Sequence, residues 1–483
     1  MHDLIDLIGH EFGDQSAGDW LALVERTLKG ADVETLATTE PDGVVIEPLY
    51  SAEDRPRGFA PAGRPAERPW DIRAQVRRYD LKQANAEVRE DLAGGAHSAI
   101  LSLDQPGRPG VAVASAADLA EALAEVLVDI APIALDAGFL GPQSADWLSA
   151  VAKGSPAAPL ALHLDPLSAF AEAGASPGPI EAHLAAAAAT AVRLAEKHPA
   201  ASLFLASGRM VHEAGGGAVE ELATMLAAAV AYLRALEAAG LHPRAAGDRL
   251  VLGLSIDADL LVSTSKLRAA RLLWARIARL ADLTERTRIE ARASRRMLTT
   301  AEAWTNLIRL TAAGAAAAIG GADAVVLEPF TDPLGPPTAF ARRMARNTQL
   351  ILMEEGRLGD VADPVGGAGA FEAVSRDLAE RAWRRFTAIE TAGGLASALA
   401  KGLVAERLRA DRQALAAGLA TGERTVLGVT DYRAGVELQA PEIGAPEIGA
   451  PEVRHGPAPE ARLPGPDSAC PALVPIRLEA LAS

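Results

Sequence analysis

The segment SLFLASGRMVHEAG, residues 202–215, places a histidine just beyond a short apolar run. The residues that follow the run include Arg209, His212 and Glu213. A histidine beside a carboxylate at the end of a strand is a candidate general base, because its unperturbed pKa lies near neutrality. The alternative is a loop or helix-start histidine that packs near Glu213. These residues alone leave both interpretations open.

Three aspartates also follow apolar runs, at positions 136, 165 and 257. Carboxylates at the carboxyl ends of parallel strands can bind a metal ion. An aspartate at a strand end more often caps the next helix, and we favour that interpretation. His163, within LALHLDP, is expected to be a satisfied histidine inside a barrel or at an interface.

Two further groups have the chemistry to contact phosphate. The segment DPVGGAG contains three glycines whose backbone amides can face a phosphate: Gly366, Gly367 and Gly369. A tight turn with positive φ requires glycine as well, so the motif does not require a ligand. The segment AFARRMAR carries three arginines that can form a CoA-phosphate patch, although we favour a solvated helix face: Arg342, Arg343 and Arg346.

Composition excludes several classes of protein. The 483 residues are 49% hydrophobic and 23% charged, with a net charge of −16, which disfavours nucleic acid as a partner. The single Cys470 excludes an internal disulfide and a cysteine-cluster metal site. Residues 1–13 lack the pattern of a signal peptide, and the apolar stretches are too short to span a bilayer. We therefore expect a cytoplasmic protein without a membrane segment.

The elements that must position these residues alternate between short apolar runs and long amphipathic stretches. We predict strands at 98–104, 132–138, 160–166, 202–208, 250–257, 288–294 and 324–330, and a possible eighth near 359–364. Strands alternating with single helices form parallel sheets, and this count predicts a closed (β/α)8 TIM-type barrel. No G-x-G-x-x-G follows the first strand, which argues against a dinucleotide-binding fold.

The predicted barrel, residues 68–422, lies between two different flanks. An N-terminal extension, 1–67, contains the amphipathic stretch DWLALVERTLKG, whose apolar face needs a partner. The tail, 423–483, contains the proline-rich repeat APEIGAPEIGAPEV, which cannot sustain a helix or a central strand. We expect about 434–470 to be a disordered linker, with no complete cobalamin-type domain after it, and the chain after Tyr432 to be dispensable for folding.

Several ordered motifs resemble the acyl-CoA mutases that depend on adenosylcobalamin, specifically the methylmalonyl-CoA mutase family. They are RPWDIR, EAGG, KLRAARLLW, ARNTQ, MEE, DPVGG and GGLASA, in that order along the chain. The resemblance covers about residues 19–432. It implies the barrel predicted above and a radical rearrangement between succinyl-CoA and methylmalonyl-CoA, which is isomerase chemistry.

The same resemblance implies that this chain lacks the family's catalytic groups. The catalytic Tyr-His pair of the S-G-Y-H motif falls on Arg209 and Met210, so His212 lies two positions late. Another family tyrosine falls on Pro65, and a substrate-binding glutamine falls on Arg292. The cobalamin-ligand motif D-x-H-x-x-G does not occur in this sequence. We therefore expect no catalytic, cofactor-binding or metal-binding residues here.

These departures resemble the small, non-catalytic subunit of the heterodimeric bacterial enzyme. The resemblance implies a large catalytic subunit as partner, which carries adenosylcobalamin and which this chain stabilises. Two alternatives remain open on the residues. One is a homodimeric acyl-CoA-binding or assembly protein, and the other is a stand-alone enzyme with different chemistry in the barrel.

The barrel is expected to be closed to substrate by a charged plug at its mouth. Arg209 and Arg292 fall near the carboxyl ends of two predicted strands, where inward side chains converge. A buried guanidinium needs a carboxylate or carbonyl partner, and Glu290 and Glu328 are the candidates by sequence. Strand alternation decides whether either carboxylate points inward. The alternative is that both arginines face an interface and leucine and phenylalanine fill the bore.

Overall fold

Eight parallel strands close into a barrel in the computed structural model. The model describes residues 16–51, 54, 64, 69–105, 107–433, 446–449 and 468–482. In chain order the barrel strands are β1 (Asp71–Val76), β2 (Ser98–Ser102), β3 (Ile133–Asp136), β4 (Ala161–Leu164), β5 (Ser202–Ser207), β6 (Leu250–Ile256), β7 (Arg288–Ala293) and β8 (Ala324–Val326). Each strand pairs with its neighbours in sequence, and β8 pairs with β1 through Ala324 and Asp71 to close the ring. The predicted (β/α)8 fold is confirmed.

The eighth barrel strand is not the one predicted near residues 359–364. It is β1, at the N-terminal end of the barrel sequence. Residues 359–364 form bends and turns after the π-helix Ile351–Glu355, and β1 completes the barrel instead. In β1 the apolar residues Ile72 and Val76 alternate with Arg73 and Gln75, so no continuous apolar run marks the strand. The prediction was wrong because it looked for apolar runs rather than for period-two alternation.

Helices surround the barrel and follow the strands. Their bounds are Leu81–Ala93, Ala116–Ala122, Gly141–Val151, Pro166–Ala173, Ile180–Lys197, Arg209–Glu213, Ala218–Ala238, Pro243–Gly247, Leu260–Leu280, Asn306–Ile319, Ala339–Leu350, Gly369–Thr391, Leu395–Ala400 and Leu403–Thr421. Short 3-10 turns occur at Gly138–Leu140, Ala152–Gly154 and Ala303–Thr305. Within the described residues, no helix combines the length and apolarity needed to cross a bilayer.

Strand alternation gives the barrel two chemically different faces. Ile289, Ala291 and Ala293 of β7 belong to the large apolar core between the strands and the helices. The alternate residues Glu290 and Arg292 are equally buried and must face the bore. A separate small apolar cluster, Ile100, Ala134 and Ala161, lies on the strands β2, β3 and β4. The bore is therefore filled by a mixture of small apolar and charged side chains.

The N-terminal extension contains one helix and one hairpin. The helix Ala17–Thr27 begins with a capping box between Ser16 and Asp19, and none of its residues is buried. A 3-10 turn, Val33–Leu36, leads to the two-residue strands Thr38–Thr39 and Val45–Ile46, which pair antiparallel. Asp42 in the hairpin loop accepts a hydrogen bond from Val219 N at 2.9 Å and so caps the helix Ala218–Ala238.

The last described residues, 468–482, pack against the barrel, and we call them the C-terminal segment. Their backbone pairs with the loops after β4, β5 and β7 through Cys470 N to Gly174 O (2.9 Å), Ile476 N to Glu213 O (2.8 Å) and Leu478 N to Arg296 O (3.0 Å). Leu473 is only 2% exposed, and the chain ends in the short helix Leu478–Leu481.

This packing differs from the disordered tail that the sequence predicts. Most of the predicted linker, residues 434–445 and 450–467, lies outside the described residues. In the segment PALVPIRLEALA, backbone donors and the Leu473 side chain find partners on the barrel. The physical reason is that these partners come from distant loops, which local pattern cannot reveal.

Candidate functional site at the mouth of the barrel

Four charged side chains meet inside the barrel, and we call them the bore layer: Arg73, Asp136, Glu290 and Arg292. Arg292 Nε donates to Glu290 Oε1 at 2.6 Å, and Arg292 Nη1 donates to Asp136 Oδ2 at 3.2 Å. Arg73 Nη1 donates to Glu290 Oε2 at 2.6 Å. The Arg292–Asp136 hydrogen bond joins β7 to β3 on the opposite side of the barrel and so crosses the bore. The Arg73–Glu290 bond joins β1 to β7, on either side of β8, and the Arg292–Glu290 bond lies within β7.

The bore layer holds its carboxylates in the charged form. Burial alone would raise the pKa of Glu290, but the charges of Arg292 and Arg73 outweigh it and hold the pKa well below its usual range. Burial would also raise the pKa of Asp136, and Arg108 and Arg292 outweigh it in the same way. Two cations therefore face two anions, which satisfies the requirement for burying them.

Glu328, the other carboxylate suggested by the sequence, lies outside the bore layer. It accepts hydrogen bonds from Arg77 Nη2 at 2.7 Å and Arg295 Nε at 3.2 Å. It is two residues beyond the end of β8, so its side chain meets arginines of the loops that follow β1 and β7. The structure thus joins Arg292 with Glu290 and assigns Glu328 to different arginines.

Arg209 begins the short helix Arg209–Glu213 after β5, at the rim of the barrel. Among the described residues none forms an ion pair with it, and its Nε has no hydrogen-bond partner. Burial, followed by the charge of Arg292, lowers its pKa. The carboxylate partner expected from the sequence is therefore absent from the described part of the chain.

His163 lies inside the barrel in a strained conformation. Its φ is +47°, in the left-handed region that non-glycine residues rarely adopt, at a register shift in the pairing of β4 with β5. Its side chain is 1% exposed, and Nε2 is 3.8 Å from Glu290 Oε2, beyond hydrogen-bond distance. Neither ring nitrogen has a hydrogen-bond partner, so the prediction that the hydrogen bonds of His163 are satisfied is wrong. Burial lowers the pKa of His163 to about 3, which keeps the ring neutral.

A cavity of about 50 Å³ opens between these groups, and we call it the rim cavity. Asp165 in its wall caps the helix Pro166–Ala173 through Ser168 N and accepts a 2.5 Å hydrogen bond from Tyr232. Burial raises the pKa of Asp165 to about 7 and that of Glu213 to about 7. The polar lining of the rim cavity includes Arg108, His163, Asp165, Ser168, Arg209 and Glu213.

His212 belongs to a second cluster, outside the rim cavity. Its Nε2 lies 2.8 Å from Ser294 Oγ, and its Nδ1 lies 3.4 Å from Glu221 Oε2, which Lys266 Nζ also contacts at 2.5 Å. Burial, with Arg296 and Lys266, lowers the pKa of His212 to about 4. Ser294 is fully buried, so this Glu-His-Ser row has no exposed hydroxyl to attack a substrate. The carboxylate beside His212 is Glu221, not the Glu213 expected from sequence.

The strand-end aspartates take separate structural partners. Asp136 pairs with Arg108 and Arg292, and Asp257 accepts from Ser263 Oγ at 3.0 Å. In the described ranges, no group of three His, Cys, Asp or Glu residues is arranged to hold a metal ion.

The two groups considered as phosphate contacts are also occupied. Gly367, with φ +84°, donates its amide to Glu372 Oε1 at 2.9 Å. Arg342 pairs with Glu87 and Glu90, and Arg346 pairs with Asp91. Both arginines are buried, so the predicted solvated helix face is wrong. Arg343 stacks over Phe340, with 5.7 Å to the ring centroid.

Comparison with known proteins agrees with this barrel. The methylmalonyl-CoA mutase family model matches residues 54–455, and the chain belongs to that family. Within it, the chain is 36% identical over 453 residues to the methylmalonyl-CoA mutase small subunit of Streptomyces virginiae, covering 87% of this chain and 71% of that protein. It is 31% identical over 410 residues to the small subunit of Propionibacterium freudenreichii subsp. shermanii, covering 81% and 62%. The large subunit of Streptomyces virginiae is 29% identical over 464 residues, covering 88% and 63%.

Two arginines at this site were not predicted from the sequence: Arg73, one of the two cations of the bore layer, and Arg108, which pairs with Asp136 of that layer. Arg73 lies on the strand that was not predicted, and Arg108 lies on a loop after β2. The motif RPWDIR contains Arg73, and alternation from Ile72 to Val76 would have placed it inside a strand. Arg108 carries no local signal, because its contacts with Asp136 and Glu172 are long-range.

Proposed function

We propose that this chain is the small, non-catalytic subunit of an adenosylcobalamin-dependent methylmalonyl-CoA mutase and stabilises a large catalytic subunit. The observation that carries the proposal is the bore layer. In the catalytic relatives, by the resemblance, the pantetheine chain of CoA threads along the barrel axis. Here, the hydrogen bond from Arg292 on β7 to Asp136 on the opposite strand β3 crosses that axis, and Arg73 links β1 to Glu290 beside it. Opening it would separate buried ion pairs, which is costly.

The remaining space at the mouth is too small for the substrate. The rim cavity has a volume of about 50 Å³. Since one water needs roughly 10–15 Å³, the cavity has room for only a few water molecules. A pantetheine chain with its acyl group has many more atoms than such a space can hold. This supports a barrel that is closed to acyl-CoA, against the alternative of a stand-alone acyl-CoA-binding protein.

The described residues do not fit adenosylcobalamin. Where catalytic relatives have a tyrosine and histidine, this chain has Arg209 and Met210, and the Met210 side chain is 2% exposed. The nearby His212 is held by Ser294 and Glu221, and the separate cavity that it lines has a volume of only about 60 Å³, far too small for a corrin. The cofactor, which supplies the radical for the rearrangement, is therefore assigned to the large subunit in this proposal.

The helix Ala17–Thr27 is the surface that we assign to the partner. It presents Leu21 and Leu23, which are 40% and 55% exposed, and none of its residues is buried. An amphipathic helix with an uncovered apolar face is stabilised by a docking partner. The names of the relatives, small subunit and large subunit, support a partner of the same family.

Co-expression with a large subunit tests the proposal. We expect one heterodimer peak in size-exclusion chromatography, with mutase turnover in the complex and none in this chain alone. Leu23→Asp should weaken co-elution. Leu280→Asp should not, because Leu280, which is 74% exposed, lies at the end of a barrel helix and outside the helix assigned to the partner. Two separate peaks, or succinyl-CoA binding by the isolated chain in calorimetry, would contradict the proposal.

A further inference from the structure

The rim cavity contains an arginine, Arg209, that forms no ion pair with any described residue. Each carboxylate of its wall is already engaged: Asp136 by Arg108 and Arg292, Glu172 by Arg108, Asp165 by Tyr232, and Glu213 by the backbone of Arg295 and Arg296. Arg209 lines the same cavity, and no described residue forms an ion pair with it. Its Nε is buried without a hydrogen-bond partner, and its partly exposed guanidinium can form a charge-assisted hydrogen bond with an anionic ligand.

His163 provides a second, independent observation at the same cavity. Its left-handed backbone and the register shift of β4 are costly features that place a histidine beside the cavity. Both ring nitrogens lack partners, so one can donate a hydrogen bond to a bound acceptor. Ser168 Oγ, which contacts the Met210 sulfur at 3.5 Å and interacts with the Asp165 carboxyl group, adds a hydroxyl to the same wall.

We propose that the rim cavity binds a small carboxylate, with the Arg209 guanidinium as its charged contact and His163 as a neutral donor. A planar carboxylate matches the two-point donor geometry of a guanidinium. Leu135, Ala169, Leu205 and Met210 form an apolar part of the wall, which suits a short alkyl group better than it suits phosphate. At roughly 10–15 Å³ for each water, the space accommodates about four water-sized atoms, the size of acetate. The site requires only the fold of this chain and is independent of the proposed subunit role.

Isothermal calorimetry with the full chain and sodium acetate tests the site, with sodium chloride at matched ionic strength as the reference. We expect a dissociation constant of about 1 mM, and at least tenfold weaker binding by Arg209→Met. Arg279→Met is the matched control, since Arg279 is a largely exposed helical arginine paired with Glu285, and it should bind acetate like the wild type.

Two outcomes would overturn the proposal: equal heats for acetate and chloride, or unchanged acetate binding by Arg209→Met. Tighter binding of phosphate or bicarbonate than of acetate would overturn the carboxylate assignment. If Arg209→Met does not fold, Arg209→Lys and His163→Asn carry the test. Asparagine tolerates the left-handed backbone at position 163, so a loss of acetate binding there would reflect the lost imidazole.

Discussion

Asp136 and Glu290 of the bore layer and Asp165 and Glu213 at the rim are all buried at the same end of the barrel, yet their pKa values are shifted in opposite directions. Asp136 and Glu290 in the bore have pKa values below the usual range, because burial is outweighed by arginines. Asp165 and Glu213 at the rim have pKa values raised to about 7, because burial dominates there. Burial is common to both pairs, so the arginine partners decide which carboxyl groups stay charged.

This difference separates two functions within one fold. The bore carries fixed ion pairs that hold distant strands together and fill the axis. The rim carries groups whose charge changes near neutral pH, beside an arginine that lacks an anion. In a chain proposed to be non-catalytic, the bore chemistry is therefore structural, and the rim is the place where ligands and pH can act.

The largest expected effect is at Glu290. Glu290→Gln would leave Arg73 and Arg292 buried without their shared carboxylate, and breaking a buried pair costs about 3–5 kcal/mol. We expect a loss of this size in the free energy of unfolding, measured by urea titration. Glu285→Gln serves as control, because its pair with Arg279 is exposed and should contribute about 0–1 kcal/mol. Equal losses of unfolding free energy in the two variants would show that the buried ion pairs of Glu290 stabilise the chain no more than an exposed pair does.

Deleting residues 468–483 should give the next largest effect, contrary to the expectation from sequence. The C-terminal segment buries Leu473 and ties the rim loops together through Gly174, Glu213 and Arg296. Burial of one leucine is worth about 1.5–3 kcal/mol and the three hydrogen bonds about 1 kcal/mol each, and the chain entropy that ordering the segment costs offsets about half of this sum. We expect a loss of about 2–4 kcal/mol in a urea titration, part of which Leu473→Ala should reproduce.

Val474→Ala is the matched control for the segment, since Val474 is 59% exposed and should be close to neutral. A truncated chain with wild-type stability would restore the expectation from sequence that the tail is dispensable.

The sequence predicted the barrel but not the partners inside it. Seven strands were recognised because each is a short apolar run followed by an amphipathic helix, and such local patterns survive without tertiary information. β1 was missed because Arg73 and Gln75 interrupt its apolar residues. Arg292 was placed at the mouth and Glu290 was named as a partner, but Glu328 and Arg209 differ from the expectation. Which carboxylate meets which arginine depends on strand register across the bore, and a sequence pattern carries no such information.

A pH series on Glu213→Gln would sharpen the contrast between rim and bore. The folded-state pKa of Glu213 is raised to about 7, so between its unfolded value near 4 and pH 7 the folded chain binds the extra proton. Raising the pH from 5 to 8 therefore removes stability from the wild type through this group. The glutamine variant lacks the titration and should gain about 2 kcal/mol relative to wild type over that range.

Asp136→Asn is the control for the pH series. The pKa of Asp136 is lowered in the folded chain, so its contribution is present throughout pH 5–8 and is lost only in acid. Its difference from wild type should be constant over the range. A wild-type-like pH profile for Glu213→Gln would show that the rim carboxyl group is charged, like those of the bore.

The smallest expected effect concerns Arg73, which contacts one fully buried carboxylate and one partly exposed carboxylate. Its Nη1 meets Glu290, whose side chain is 0% exposed, and its Nη2 meets Asp71 at 2.8 Å, whose side chain is 23% exposed. Asp71→Asn should cost about 1–2 kcal/mol, less than Glu290→Gln, since Asp71 is partly solvated and the amide oxygen can still accept from Ser98. The same guanidinium is tested from both sides, so differences in the arginine itself cannot explain the result. If Asp71→Asn destabilises the chain as much as Glu290→Gln in urea titration, then the depth of burial does not set the strength of these pairs.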